Sequence, residues 1–216
     1  MSPDESPAAR FRGWPVEAVE FFEGLEADNS KAFWTENKAV YEARVRAPME
    51  ALLAELAGEF GEGRIYRPYR DVRFSADKSP YKTHLAAHNA GGYLQLDSQG
   101  LGMGVGLYMP SSGQLERYRA AVADDVSGAE LVKIAAALRR KDIDVSAHET
   151  LKTAPKGYPK DHPRIELLRM KGLILWKQWP VGPWLGTAAA KKRVVDFLHA
   201  TAPLRDWVDS HVGAPA

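Results

Sequence analysis

The chain has 216 residues, which is enough for one large domain, or two small ones, with a hydrophobic core that needs no covalent staples. It contains no cysteine, and this excludes disulfides, thiolate zinc sites, iron–sulfur clusters and cysteine nucleophiles. The formal net charge is +1, so the molecule as a whole lacks the strong field that favours nucleic acid or anionic lipid.

The N-terminal third is predicted to be helical after a disordered tail over residues 1–10. This tail has prolines and mixed charge but lacks the apolar run of a signal peptide, so we expect a cytoplasmic protein. Apolar residues at helical spacing predict a short helix over residues 15–25. A second helix is expected to run from a polar cap at residues 28–30 toward Arg46, and Pro48 either kinks it or opens the next helix.

The middle of the chain changes from helical spacing to alternation, which predicts an antiparallel meander. Its strands are expected at residues 65–69, an edge strand because it contains Pro68, and at residues 85–89, 93–97 and 101–109. In the last strand Gly102, Gly104 and Gly106 leave one face as bare backbone. We expect an aromatic side chain from a covering helix to pack there, and a closely approaching ligand is the alternative.

The remaining chain returns to helical spacing with one further strand. We expect helices after caps at Ser111 or Ser112 and at Ser127, a loop over residues 152–164, a short helix at 165–168, a strand at 173–179 and two closing helices at 187–201 and 204–212. No window reaches the roughly 18 apolar residues of a membrane-spanning helix, so no membrane partner is expected. We predict a single α+β domain over residues 11–212, with its sheet covered by N-terminal and C-terminal helices.

The densest chemistry lies between Arg70 and His84, where fifteen residues hold four cations, two carboxylates, three Ser or Thr hydroxyls and a histidine. From Arg64 to His84, six Lys and Arg residues oppose only Asp71 and Asp77, a local balance of +4. In a near-neutral protein this favours a focused site for phosphate or carboxylate, which guanidinium binds through its planar fork. The alternative is a structural ion-pair network in which Asp77 caps a turn.

The histidines of this region do not predict a metal site. In a strand, His84 and His88 would stand about 13 Å apart at roughly 3.3 Å per residue, which is too far to share one ion. Leu85 stands where the zinc-peptidase pattern requires glutamate. We therefore predict no metal, and the cofactor stays unknown.

A second polar cluster follows at residues 156–163. Lys156, Asp161 and His162 lie there in a loop rich in glycine and proline, ahead of a helix whose amides could receive an anion. An aspartate beside a histidine is typical of a catalytic pair. Adjacent side chains diverge, however, so a turn with a cap is the structural alternative.

Four segments in this order produce a resemblance to a known family: residues 11–14, 29–41, 70–84 and 156–163. Together they resemble a widespread, mostly bacterial family known only as a domain of unknown function, whose hallmark reads R-D-x-R-F-S-x-D-K-S-P-Y-K-T-H. The resemblance extends to the strand near Trp179 and implies a bacterial cytoplasmic protein with a single α+β domain. It brings no substrate or catalytic residue set. Ser30 departs from the asparagine that the resemblance leads us to expect.

Three functions are compatible with the sequence. The first is an enzyme on a small anionic substrate, with Asp71, Asp77 or His84 as the catalytic group that moves a proton. The second is a non-catalytic module that binds an anionic ligand or nucleic acid, and the third is a buried structural network in a protein whose partner is another protein.

We favour the anion site, because six cations are costly to neutralise with two carboxylates. The stacking surfaces for the nucleic-acid alternative would be Tyr81, Trp176 or Trp184. The oligomeric state stays unknown. The ligand-binding residues that we predict are Arg70, Arg73, Ser75, Lys78, Tyr81, Lys82, Lys156, Asp161 and His162.

Overall fold

The computed structural model describes residues 10–73, 76–89 and 91–213, and these form mixed helix and sheet. The α-helices are α1 (Val16–Ala27), α2 (Lys31–Val40), α3 (Ala47–Phe60), α4 (Ser112–Ala123), α5 (Asp125–Arg139), α6 (Ile165–Arg169) and α7 (Ala189–His211). The strands are β1 (Arg64–Ile65), β2 (His84–Asn89), β3 (Gly92–Asp97), β4 (Gly100–Leu107), β5 (Val145–Ser146) and β6 (Leu173–Pro180). A π-helix (Tyr41–Arg46) joins α2 to α3, and a 3-10 helix (Pro183–Gly186) precedes α7. The predicted α+β class is confirmed.

The strands form one sheet in the order β1-β2-β3-β4-β6-β5. Strand β2 pairs antiparallel with both β1 and β3, as the predicted meander requires. The edge strand is shorter than predicted, because only Arg64–Ile65 pair continuously and Tyr69 then forms an isolated bridge with Tyr81. The sequence does not predict β5, which pairs antiparallel with β6, because two residues are too few to show alternation.

The chain divides into two compact units. The first comprises the described residues up to Met103 together with Gln178–Asp196. The second comprises Gly104–Lys177 and the described residues from Phe197 onward. The single-domain organisation stays a prediction.

The core of the first unit lies between its helices and one face of the sheet. Helices α1 and α2 and the π-helix pack on one another, and α3 packs on β2. Full burial of a leucine contributes about 1.5–3 kcal/mol, so the alternating apolar residues of the strands hold this layer together. The apolar strand side chains that are at most 1% exposed in this unit are Leu85, Ala87, Leu94, Leu96, Leu101 and Met103.

The long helical segment of the first unit begins at the cap Ser30, whose hydroxyl accepts a hydrogen bond from the Phe33 amide at 3.1 Å. Helical backbone continues through the π-helix to Arg46, as the sequence predicts. Pro48 then lies in the first turn of α3, where its missing N–H costs little. Of the two alternatives for Pro48, the structure therefore shows that it opens the next helix.

Two predictions for the helices of the second half of the chain are wrong. The cap of α5 is Asp124, whose carboxylate accepts from the amides of Val126 and Ser127, so Ser127 lies inside the helix. The two closing helices are one helix, α7, which contains Pro203. The Thr201 hydroxyl donates to the Phe197 carbonyl at 2.8 Å within this helix, which continues through the proline.

The bare face of β4 is occupied by an aromatic side chain in the second unit. A Cβ atom added to Gly104 would stand 3.1 Å from Cε3 of Trp176. The prediction of an aromatic neighbour is correct, but the ring comes from the neighbouring strand β6 and not from a covering helix. Within the described ranges, no helix is both long enough and apolar enough to cross a membrane.

Candidate functional site

The residues of the charged signature form a β-hairpin arm in the first unit. We define the stem of this arm as residues 64–69 and 80–89, and its tip loop as the described residues 70–73 and 76–79. Between the two sides of the arm, the Lys82 amide donates to the Pro68 carbonyl at 2.8 Å and the Arg70 amide donates to the Pro80 carbonyl at 2.9 Å. Ser75, one of the predicted ligand-binding residues, lies outside the described residues.

The stem contains a bulge. Ile65 pairs with Ala87, and Tyr69 pairs with Tyr81, so four steps along one chain match six along the other. The two extra residues lie on the returning chain, where Thr83 forms a bend. Bulges re-aim side chains, and here the bulge separates Lys82 from the regular alternation of β2.

The arm is anchored to the helices by Tyr81. The side-chain amide of Asn29 accepts from the Tyr81 amide at 3.0 Å and donates to the Tyr81 carbonyl at 3.1 Å, as a neighbouring strand would. The Tyr81 ring stacks on Trp34 with a centroid distance of 4.4 Å and is only 5% exposed. Tyr81 therefore holds the arm and presents no free stacking surface, which corrects the ligand-stacking role predicted for it.

The carboxylates of the tip loop are both paired with arginine. The Arg73 guanidinium donates to both oxygens of Asp71, at 2.9 and 2.6 Å, and Arg70 donates to Asp77. The hydrogen bond from Arg73 lowers the pKa of Asp71. Hydrogen bonds from Ser79, followed by the bond from Arg70, lower the pKa of Asp77 to about 2. Both carboxylates are ionised at neutral pH and are weak bases.

The remaining cation of the tip loop also has a local partner. The Lys78 ammonium donates to the Val72 carbonyl at 3.0 Å. The side chains of Asp71, Asp77, Lys78 and Arg73 are exposed, with Arg73 75% accessible, so these contacts are screened by solvent. The ion-pair alternative thus describes the tip loop.

The cations of the stem are differently placed. In the described part of the chain, no carboxylate forms an ion pair with Arg64, Arg67 or Lys82. The Lys82 ammonium stands 5.7 Å from the centroid of the Tyr66 ring. Burial, and secondarily the charge of Arg67, lower the pKa of Lys82, so its charged form is disfavoured there.

His84 is the first residue of β2 and pairs with Asp97 of β3. Burial is the largest cause that lowers the pKa of His84, and the charges of Lys82 and Arg70 add to it while Asp97 opposes it. The imidazole is therefore neutral at pH 7 and can accept a proton. It is half-buried, so a small ligand can reach it.

Other aromatic rings and a side-chain amide lie beyond His84 on the sheet. The His88 ring lies 5.1 Å from Tyr66, and Tyr93 lies 6.3 Å from Tyr66. The Tyr93 hydroxyl donates to the Gln95 carbonyl oxygen at 3.1 Å, and the Gln95 amide donates to Asp97 at 2.9 Å. We call this surface the polar sheet face; it comprises Tyr66, Lys82, His84, His88, Tyr93, Gln95 and Asp97.

The two histidines of β2 do not form a metal site with other groups. Among the described residues, no cluster of three or more His, Cys, Asp or Glu side chains is suited to hold a metal ion. The Nδ1 atom of His88 is buried and has no hydrogen-bond partner in the described part of the molecule. A buried nitrogen without a partner costs about 1–3 kcal/mol, so this face carries a local cost in stability.

The predicted cluster of Lys156, Asp161 and His162 belongs to the second unit. There the His162 Nδ1 atom accepts from the Arg164 amide at 3.0 Å, which stabilises a turn. The Arg164 guanidinium donates to the Val122 carbonyl at 2.6 Å and so caps the end of α4. Lys156 and Asp161 are exposed. The contacts seen here are those of the turn-and-cap alternative.

The other two stacking candidates differ from each other. In the first unit, the Arg193 guanidinium lies 4.6 Å from the Trp184 ring and occupies part of it. In the second unit, Trp176 packs at Gly104 and is 40% exposed. Asn29 and Trp34, which position the arm, are site residues that the sequence reasoning missed, although both lie in a segment that carries the family resemblance.

Comparisons with known proteins give one match. A family model described as "Conserved hypothetical protein (DUF2461)" matches residues 17–207. This confirms the resemblance to a family of unknown function, and the description carries no activity. Neither the curated proteins nor the solved structures gave a match.

Proposed function

We propose, for a chain that belongs to the conserved hypothetical protein family DUF2461, that the stem of its hairpin arm binds a small anion such as a phosphate or a carboxylate. The observation that carries the proposal is the separation of paired from unpaired charge. The carboxylates of the arm, Asp71 and Asp77, are engaged by Arg73 and Arg70 in the tip loop. Lys82 and Arg67 in the stem are left to attract an external anion.

The charge balance of the arm supports an anion from solution. Six cations stand against two carboxylates between residues 64 and 84. Lys82 and Arg67 repel each other, which is one cause of the lowered pKa of Lys82. An anion placed between the two cations would favour the charged form of both, and it would bring Lys82 a partner in its partly buried position.

The side chains around Lys82 suit a phosphate or carboxylate group. Lys82 supplies a point charge, and Arg67 supplies a planar fork on an exposed side chain that can adjust to a ligand. His84 adds a neutral nitrogen at pH 7. These side chains together recognise the charge and the hydrogen-bonding geometry of a ligand. The exposed side chain of Arg67 makes the site accessible from solvent.

In the catalytic version of the proposal, His84 accepts a proton from the bound substrate. The carboxylates of Asp71 and Asp77 then serve to hold the arginines, because their low pKa values make them weak bases. We further propose that the protein works in the cytoplasm of a bacterium. Binding at Lys156, Asp161 and His162 stays a separate proposal for the second unit.

The test is ligand-induced stabilisation of the full chain. At a ligand concentration of 100 times Kd, binding contributes about 2.7 kcal/mol, which raises the Tm of a protein of this size by roughly 5–10 °C. We expect inorganic phosphate or citrate to raise the Tm of the wild type. The double variant Lys82→Met, Arg67→Met should keep its fold and lose the response.

The matched control is Lys133→Met, which removes an exposed lysine from α5 in the second unit. It should retain the full response to the anion. A wild-type Tm that does not change with any phosphate or carboxylate, at low ionic strength, would contradict the proposal. An equal loss of response in the double variant and the control would show a non-specific charge effect and would also contradict it.

A further inference from the structure

We infer that the ligand of the anion site carries a planar ring beside its charged group, as nucleoside monophosphates and aromatic carboxylates do. This inference rests on the proposed function, since the ring is placed relative to the anion at Lys82. It goes beyond that function because an inorganic anion has no planar group that could stack on the aromatic side chains of the polar sheet face. Its basis is the position of three rings next to the unpaired cation.

Tyr66 joins the cationic and aromatic parts of the face. Its ring lies 5.7 Å from the Lys82 ammonium and is 40% exposed. An exposed ring next to a cation offers a ligand two contacts at once: stacking on the ring and an ion pair with the ammonium. A ligand that has only a charge makes one of these contacts.

Two further rings extend the aromatic surface across the sheet. The His88 ring is inclined by 39° to the Tyr66 ring at 5.1 Å, and the Tyr93 ring by 43° at 6.3 Å. None of the three is stacked face to face with another ring, and the Lys82 ammonium lies over one face of the Tyr66 ring. A planar ligand group can therefore lie against this surface.

The hydrogen-bonding groups beyond the rings suit the edge of a heterocycle. Gln95 accepts from Tyr93 and donates to Asp97, and each of its polar atoms retains capacity for one more hydrogen bond. Ala86 stands between His84 and His88 in β2, and Gln95 pairs with it from β3, so the Gln95 amide lies in the middle of the face. The surface thus combines charge, stacking and hydrogen-bonding groups in one region of the first unit.

The experiment compares ligand pairs that differ only in the ring. Calorimetric titration of the full chain would use inorganic phosphate, ribose 5-phosphate, AMP and UMP, and also benzoate against cyclohexanecarboxylate. We expect at least one ligand with a planar ring (AMP, UMP or benzoate) to bind at least tenfold more tightly than its counterpart without a planar ring (ribose 5-phosphate or cyclohexanecarboxylate). Preference within the phosphate pair identifies a nucleotide, and preference within the carboxylate pair identifies an aromatic acid.

Two variants separate the ring from the charge. Tyr66→Leu should abolish the preference for the ligand with a planar ring over its counterpart without one. Lys82→Met should weaken the binding of every anion. The control Tyr108→Leu, which removes a tyrosine that is 63% exposed in the second unit, should change neither.

The outcomes distinguish this inference from the proposed function. Equal affinity for anions with and without a planar ring would overturn the inference and leave the anion site intact. The absence of binding by any anion would overturn both the inference and the proposed function. Loss of phosphate affinity in Tyr66→Leu would assign the ring to positioning Lys82 and would also overturn the inference. If Tyr66→Leu fails to fold, amide chemical shifts of the wild type decide: AMP or benzoate must shift residues 93–97 where the ringless anion does not.

Discussion

The tip loop and the stem of the hairpin arm both contain cations, but these cations differ in whether a carboxylate pairs with them. In the tip loop, Arg70 and Arg73 are each paired with a carboxylate. In the stem, Lys82 has a tyrosine ring and a second cation as its neighbours. Whether a charged motif is structural or binds a ligand therefore depends on whether its charges are paired with one another. A single run of cations can contain a structural part and a binding part side by side.

The pKa shifts of the two regions have opposite meanings. In the tip loop, hydrogen bonds lower the pKa of Asp71 and Asp77 and so favour their charged forms. In the stem, burial lowers the pKa of Lys82 and His84 and so disfavours their charged forms. Burial of Lys82 and His84 therefore lowers the stability of the stem when they are charged, and a bound anion would restore that stability because it favours their charged forms.

The strongest way to break the comparison is to remove the anchor that holds the arm. Trp34 is 5% exposed and stacks on Tyr81, so Trp34→Ala should lower the free energy of unfolding by about 3–5 kcal/mol. Urea denaturation measures this effect, and Trp176→Ala, at a ring that is 40% exposed, should cost less. An equal cost for both tryptophans would contradict the anchoring role.

A smaller effect is expected from the polar half of the same anchor. Asn29→Ala removes both hydrogen bonds to the Tyr81 backbone, and the groups left without a partner should cost about 1–3 kcal/mol. Hydrogen exchange should show faster exchange of the Tyr81 amide. Asn37→Ala, which removes a local bond to the Phe33 carbonyl, is the control, and protection of Tyr81 must persist in it.

The comparison is sharpened by removing one lysine from each region. Lys82→Met should raise the free energy of unfolding, by about 0.5 kcal/mol, because a partly buried charge without a carboxylate partner is removed. Lys78→Met removes the hydrogen bond to the Val72 carbonyl and should give no gain. Thermal unfolding without ligand measures both. A clear loss of stability in Lys82→Met would mean that the ammonium has a stabilising partner.

The smallest effect concerns pH. Because the folded-state pKa of His84 lies below the ordinary value of about 6.5, the unfolded chain binds more protons in that range. The contribution of His84 is therefore fully present above about pH 6.5 and is lost as the pH falls through its folded pKa. The free energy of unfolding, measured from pH 8 to pH 5, should decrease less steeply in His84→Gln than in the wild type.

The pH profile of His84 depends on the charged groups that face it, which are Lys82, Arg70 and Asp97. Bound phosphate would favour the imidazolium, so anion affinity should rise as the pH falls below about 6.5. Identical pH profiles for the wild type and His84→Gln, with and without phosphate, would remove His84 from the site.

The fold was predictable from the sequence wherever periodicity spans several residues. Alternation predicts β2 and β3, and helical spacing together with Pro15 predicts α1. The prediction fails where a distant contact decides: Asn29 has the sequence signature of a helix cap, but its partner Tyr81 is 52 residues away. A proline predicts a break at Pro203, yet α7 continues through it.

The candidate site was predictable in location but not in its division of roles. The density of charge between Arg70 and His84 identifies the segment from composition alone. The contacts within the tip loop pair its arginines with Asp71 and Asp77, and the bulge at Thr83 shifts the register of the stem in a way that no local pattern indicates. The rings of Tyr66 and Tyr93 come together only when the sheet forms.

The short edge strand has a consequence for the behaviour of the protein at high concentration. An open sheet edge is a template for pairing with another molecule, and proteins protect such edges with short strands, charges and proline. Here β1 is two residues long, begins with Arg64, and is followed by Arg67 and Pro68. The cations that we propose to bind an anion thus also oppose edge-to-edge self-association. Neutralising them would remove the binding site and would also increase the risk of aggregation.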